Sequence, residues 1–143
     1  MRGLAEAADC SDGGTFSDHT KRCYKYYATP LPCTEARTRC ADDNSGGDLA
    51  SIPDQETHDL VFSLTSGLDT WVGGHKSQHG AWGWSDGTPW SYTNWHQGEP
   101  NGVGDECLRL KQPTGQWADR GEDLAFTFIC QYEGISNLPG KSS

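Results

Sequence analysis

Between Trp71-Val72-Gly73, which reads as a short buried strand, and the alternating Cys107-Leu108-Arg109-Leu110, the chain runs from Gly74 to Asp105 with almost no hydrophobic periodicity. A structureless run of that length is uncommon inside a compact domain, and marks either a missed element or a functional loop. Its chemistry favours function. Glu99, Asn101 and Asp105 lie among Gly98, Pro100, Gly102 and Gly104, and Asp119 follows in Trp117-Ala118-Asp119. Oxygen-bearing side chains separated by glycine are ligands for a hard cation, and Ca²⁺ takes about 6 to 8 oxygens from carboxylates, amide carbonyls and water. Glycine lets the backbone fold tightly round an ion, and a cis Glu99-Pro100 bond would turn the Glu99 and Asn101 side chains toward one point. The same residues would also make an acidic, solvated surface loop.

At 143 residues the chain fits one domain, a size that can bury a real core. The net charge of -9 argues against nucleic acid, which demands clustered Lys and Arg, and suits a protein that collects a cation. No run is apolar for long enough to insert in a membrane, and Met1 to Asp9 lacks the apolar segment of a secretory signal, so the chain reads as a mature or recombinant form. Six cysteines without a Cys-x-x-Cys pair fit a secreted, extracellular protein stapled by disulfides better than a zinc or redox site. Spacing alone leaves their connectivity open.

Along the chain, residues 1–9 read as a flexible lead-in, 10–133 as the domain and 134–143 as a tail. Arg22 to Ala28, rich in tyrosine, predicts a strand that Pro30 and Pro32 break. A helix is expected from about Thr34 to before Asn44-Ser45-Gly46-Gly47, and a second after Pro53-Asp54, ended by Gly67. Strands follow at 71–73, 107–110 and 125–132. The class is α+β: two helices, small antiparallel sheets and one long loop.

The order of motifs then resembles one family, the C-type lectin-like domain. The matching residues are Trp71-Val72-Gly73-Gly74, Trp84-Ser85-Asp86-Gly87-Thr88-Pro89, Tyr92-Thr93-Asn94-Trp95 running into Gly98-Glu99-Pro100-Asn101, an acidic pair before Cys107, Trp117-Ala118-Asp119 and Phe128-Ile129-Cys130. The resemblance covers roughly Cys10 to Tyr132, and is to soluble, invertebrate-type members. It implies a secreted protein that catalyses nothing and binds one Ca²⁺ through Glu99, Asn101, Asp105 and Asp119. The same four residues would bond two neighbouring sugar hydroxyls, each hydroxyl giving its proton to a carboxylate or accepting one from an amide.

Departures from the pattern shape the remaining expectations. Ala118 stands where the family has Asn, removing a ligand and an amide donor; Asp105 stands where Glu is commoner, with Glu106 beside it as a substitute; and Gly102 replaces an acid of the auxiliary calcium site. Glu-Pro-Asn implies mannose-type sugars, yet loss of the Ala118 donor tilts the expectation to terminal galactose, with mannose close behind. Trp71, Trp84, Trp95 and Trp117 match core positions, which leaves Trp82 and Trp90 free to stack on a sugar or simply to pack the loop. The family pattern pairs Cys10 with Cys23 and Cys40 with Cys130. Cys33 and Cys107 have no family partners: they bond each other, or at least one reaches a second chain, or one stays a thiol. Cys33 is the better candidate for an interchain bond, giving a homodimer that agglutinates cells in innate immunity. His58, His75, His79 and His96 match no metal or catalytic spacing and read as solvated or core residues.

Overall fold

In the computed structural model, which describes residues 8–136, strand β1 (Ala8–Asp9) pairs antiparallel with β10 (Ile135–Ser136) and closes the chain on itself. Asp9 and Ile135–Ser136 thus belong to paired strands rather than to the lead-in and tail expected at 1–9 and 134–143; residues 1–7 and 137–143 lie outside the described residues.

The remaining strands are β2 (Thr15–Ser17), β3 (Arg22–Pro32), β4 (Asp48–Leu49), β5 (Thr70–Lys76), β6 (Gly83–Trp84), β7 (Glu106–Leu110), β8 (Trp117–Gly121) and β9 (Ala125–Glu133). They form one sheet in the order β2-β3-β9-β5-β7-β8, with β4 on β9 and β6 on β5. The expected antiparallel pairing holds except between β5 and β9, which run parallel with Trp71 opposite Phe128. The sheet is mixed because β7 and β8 turn back before β9 re-enters beside β5. Pro30 and Pro32 do not break β3 as expected. A shift of register between Tyr27 and Leu31 absorbs them, and Pro32 still pairs with Ala125.

Helix α1 (Cys33–Asp43) follows directly, and α2 (Gln55–Ser63) is capped by Asp54, whose carboxylate accepts from Thr57 N at 2.9 Å. Between β5 and β7 only Gly83–Trp84 forms regular structure, so the long loop is real.

Cys10–Cys23 and Cys40–Cys130 are bonded as the resemblance implied, the second tying α1 to β9. Cys33 and Cys107 are bonded to each other, joining the start of α1 to β7. The expectation of an interchain bridge through Cys33 is therefore corrected: no described cysteine is free. The reason is topological, since β5 and β7 carry Cys107 beneath the first turn of α1.

Candidate calcium and sugar site

The loop reaches β8 through its backbone. Trp117 N–H donates to Asn94 O and His96 N–H to Trp117 O, both at 2.8 Å, so the chain before Glu99 lies alongside the strand that carries Asp119. Gly98 then turns in the left-handed region at φ 85°, a conformation that costs glycine little. Glu99 N–H donates to His96 O at 2.9 Å, and the Glu99-Pro100 bond is cis. Glu99 and Asp119 end with their carboxyl groups facing each other, each acting on the other's titration.

Asp119 is 4% exposed and is the hub of the site. Its Oδ1 accepts from Asn101 N–H at 3.1 Å and its Oδ2 from Gly102 N–H at 2.6 Å. Burial alone would raise its pKa, but the amides of Asn101 and Gly102 and the bond from Glu99 hold it below the usual carboxylate value. Glu99 moves the other way. Burial, and then the hydrogen bond and charge of Asp119, raise its pKa, and its Oε1 is buried with no hydrogen-bond partner among the described residues. Two carboxyl groups that share one contact, one oxygen unsatisfied, call for a proton or a cation between them.

The structure places the expected Asp105 apart from this pair. That residue is exposed, and its Oδ1 accepts from Gln78 N–H at 2.8 Å, which fixes the turn after β5 against the loop. Glu106, only 8% exposed, faces the site instead, its Oε2 accepting from Gly104 N–H at 3.2 Å. Pairing explains the exchange. Leu108 lies opposite Asp119 in the β7–β8 ladder, and side chains two apart share a face, so Glu106 falls on the Asp119 side while Asp105 precedes the strand. The structure thus brings Glu106, rather than the expected Asp105, beside Asp119. Alternation read back from Asp119 through Leu108 is the signal that selects Glu106.

The crowding is measurable at Gly102. A Cβ there would lie 2.3 Å from Glu106 Cδ and 2.6 Å from Asp119 Oδ2. Nevertheless, among the described residues no three His, Cys, Asp or Glu side chains close round one point in the manner of a finished metal shell. The donors are of the right kind for Ca²⁺, with hard carboxylates, the Asn101 amide, and an unsatisfied buried oxygen.

Trp82 and Trp90 have duties after all. Both are half-buried, stacked on each other with centroids 5.9 Å apart, and packed on the core; Trp90 also stands 4.8 Å from Trp84 and 5.9 Å from the fully buried Trp117. Ala118 is fully buried opposite Arg109 in the β7–β8 ladder. Of the histidines, His58 is a buried core residue, its Nε2 2.9 Å from Gly115 O and 3.2 Å from Asn94 Nδ2, while His75 and His79 are exposed and His96 half-buried.

The family model described as "Lectin C-type domain" matches residues 29–132. The chain belongs to the C-type lectin domain family. It is 32% identical over 140 residues to the C-type lectin lectoxin-Lio3 of Erythrolamprus poecilogyrus, covering 92% of this chain and 86% of that one. It is 40% identical over 112 residues to the type-2 ice-structuring protein of Hemitripterus americanus, covering 76% and 67%. Among solved structures, a calcium-independent type II antifreeze protein superposes with a TM-score of 0.82 at 30% identity, over 90% of this chain and 98% of that one. These relatives are vertebrate proteins, so the expected invertebrate type finds no support. The family is generally non-enzymatic and holds both calcium-dependent lectins and proteins that do not act on sugar. Among the described residues no helix is long and apolar enough to cross a membrane.

Proposed function

We propose that this C-type lectin domain is a secreted, calcium-dependent binder of terminal hexose, with Glu99, Asn101, Glu106 and Asp119 as the ligand set. The observation that carries the reading is the facing pair Glu99 and Asp119, with Glu99 Oε1 buried and unpartnered. Bound there, Ca²⁺ would accept the lone pairs of two neighbouring sugar hydroxyls. The chain's own residues do the rest. Glu99 and Glu106 accept hydroxyl protons, the exposed Asn101 carboxamide donates, and Asp119 holds the Asn101 and Gly102 amides so that the loop keeps its shape. Three disulfides support an oxidising, extracellular setting.

Within hexoses, the proposed preference is galactose over mannose. Its support is the missing amide donor at Ala118; stacking by Trp82 or Trp90 adds little, because both rings are engaged in the aromatic cluster. Agglutination of glycan-coated cells in innate defence needs at least two linked sites. With all described cysteines paired within the chain, the proposed homodimer is non-covalent, and sedimentation at increasing concentration checks it.

Calcium titration by calorimetry, followed by elution from immobilised galactose and mannose with and without chelator, tests the reading. Glu99→Gln, Glu106→Gln and Asp119→Asn should each weaken calcium at least about tenfold, the loss of one charged ligand, while Asp105→Asn should cost less. Unchanged calcium affinity in the first three variants sinks the site, and elution by mannose in preference to galactose sinks the sugar assignment. A second reading, binding of ice or a protein surface without calcium, draws support from the unclosed ligand shell and the 40% identity to an ice-structuring protein. Thermal hysteresis that persists in chelator would favour it.

A further inference from the structure

We propose that the Asn101–Gly102 junction is a site of spontaneous deamidation, restrained by Asp119, so that the domain carries a chemical clock inside its own binding loop. Asn101 is exposed, and its carboxamide makes no hydrogen bond among the described residues. The glycine after it fills a tight place, where the Glu106 and Asp119 carboxyl groups would have to shift to admit a Cβ. Any Cβ at position 102 would strike the Glu106 carboxyl group at 2.3 Å and Asp119 Oδ2 at 2.6 Å. Glycine is also the successor that least hinders attack of the following backbone nitrogen on an asparagine side chain, because no side chain shields that nitrogen. Packing three acids round this turn leaves little room after Asn101, and the glycine that fits there makes the most labile dipeptide on the loop.

The step balances with water alone. Hydroxide removes the Gly102 amide proton, and the nitrogen forms a bond to Asn101 Cγ. The Cγ–N bond of the carboxamide then breaks, and ammonia leaves with a proton returned from water. Water adds to either carbonyl of the resulting five-membered imide and opens it to aspartate or, by the other carbonyl, to isoaspartate. The amide has become a carboxylate, and in the second product the main chain gains a methylene.

Asp119 slows this reaction in the folded chain. It accepts the very proton that must leave, from Gly102 N–H at 2.6 Å, and it fixes the preceding amide at 3.1 Å. Charge developing on that nitrogen would also face Asp119 and Glu106. The other described asparagines are protected differently. Asn44 Oδ1 accepts from Ser11 Oγ at 2.9 Å and precedes Ser45, and the Asn94 carboxamide stands 3.2 Å from His58 Nε2 and precedes Trp95. Conversion at Asn101 replaces an amide donor by a fourth negative charge beside Glu99, Glu106 and Asp119. Its effect on hexose binding rests on the function proposed above; the chemistry does not.

Ageing the intact protein in mildly alkaline buffer at body temperature, with peptide mapping by mass spectrometry and chromatographic separation of isoaspartate, tests the proposal. Asn101 should convert several-fold faster than Asn44 or Asn94, and several-fold faster again in Asp119→Ala. Should that variant not fold, wild-type chain held unfolded in urea replaces it, and Asn101 should convert faster there than in the native protein. Native conversion no faster at Asn101 than at Asn44 and Asn94 overturns the site, and a rate untouched by losing Asp119 or by unfolding overturns the restraint. Aged protein and Asn101→Asp should both fail to stay on a galactose matrix. If fresh protein never binds that matrix, the function proposed above fails while the mass-spectrometric result still decides this inference.

Discussion

Around α1 the packing is fastened covalently: Cys33–Cys107 and Cys40–Cys130 sit among Tyr27, Ala36, Leu49, Trp71 and Phe128, with Tyr27 stacked on Phe128 at 4.7 Å. The long loop contains no cysteine and is fastened by rings. Trp84, Trp90 and Trp95 gather round Trp117, Trp82 packs on Trp90 and Trp95, and the cluster joins the core that holds Val61, Leu108 and Leu110. Even the polar bonds differ. Helix α1 is tied by ion pairs such as Arg37–Asp48 and Arg39–Asp43, whereas the loop leans on side chains that grip backbone or one another, as Asp105 grips Gln78 N–H and Asp86 collects Ser51, Thr88 and Gln131. A scaffold cross-tied on one side leaves the other free to be shaped by a few aromatic and carboxylate contacts, which is where binding chemistry can change without loss of the fold.

The contrast is sharpest if each fastening is removed in turn. Replacing both Cys40 and Cys130 by Ala opens a bridge spanning 90 residues and should cost about 4 kcal/mol in urea unfolding; the ring cluster should survive, read as unchanged tryptophan fluorescence below the transition. Trp90→Ala should cost about 3 kcal/mol, the range for a large ring that is partly buried, and should alter that fluorescence and calcium binding together. If it disturbs neither, the loop is not held by its rings. Asp86→Asn should cost about 2 kcal/mol by leaving donors from Gln131, Ser51 and Thr88 poorly matched.

Asp86 also sets a pH dependence. Burial alone would raise its pKa, but the Thr88 amide and the Gln131, Thr88 and Ser51 side chains hold it below the usual value. A carboxylate lowered on folding stabilises above its unfolded pKa, about 3.9 for Asp, and that stability fades as pH falls through the lower folded value. Acid unfolding of Asp86→Asn should therefore be less steep below about pH 4. The site gives the opposite sign at Glu99, raised by burial and by Asp119. In chelator at neutral pH, Glu99→Gln should raise Tm by a few degrees, because it removes one of two facing charges. A lower Tm would mean that the pair is not strained by repulsion without the ion.

The starts of both helices, the ends of the long loop and two of the disulfides were legible in the sequence because each has a strong local or family signal, such as Asp54 as cap or cysteines at matching positions; α2 stops at Ser63, before the expected Gly67. Cys33–Cys107 was not, since it depends on β7 passing under α1, a contact 74 residues apart. Trp82 and Trp90 looked spare because a loop tryptophan has no periodicity to betray its neighbours. Asp105 and Glu106 are adjacent acids, and only the register of Leu108 on Asp119 decides between them. The prolines of β3 misled because a register shift satisfies what their missing N–H groups leave undone.

The two long disulfides interleave, Cys33 to Cys107 and Cys40 to Cys130. Every cysteine before the loop and every one after it lies outside the stretch from Gly74 to Asp105. A single backbone cut anywhere in that stretch would therefore yield two fragments that stay joined by both bridges and by the strand pairs β3–β9, β5–β7 and β5–β9. An attacking protease would find its easiest targets where the chain can best survive being cut, and a nicked lectin would still travel as one molecule until it met a reductant.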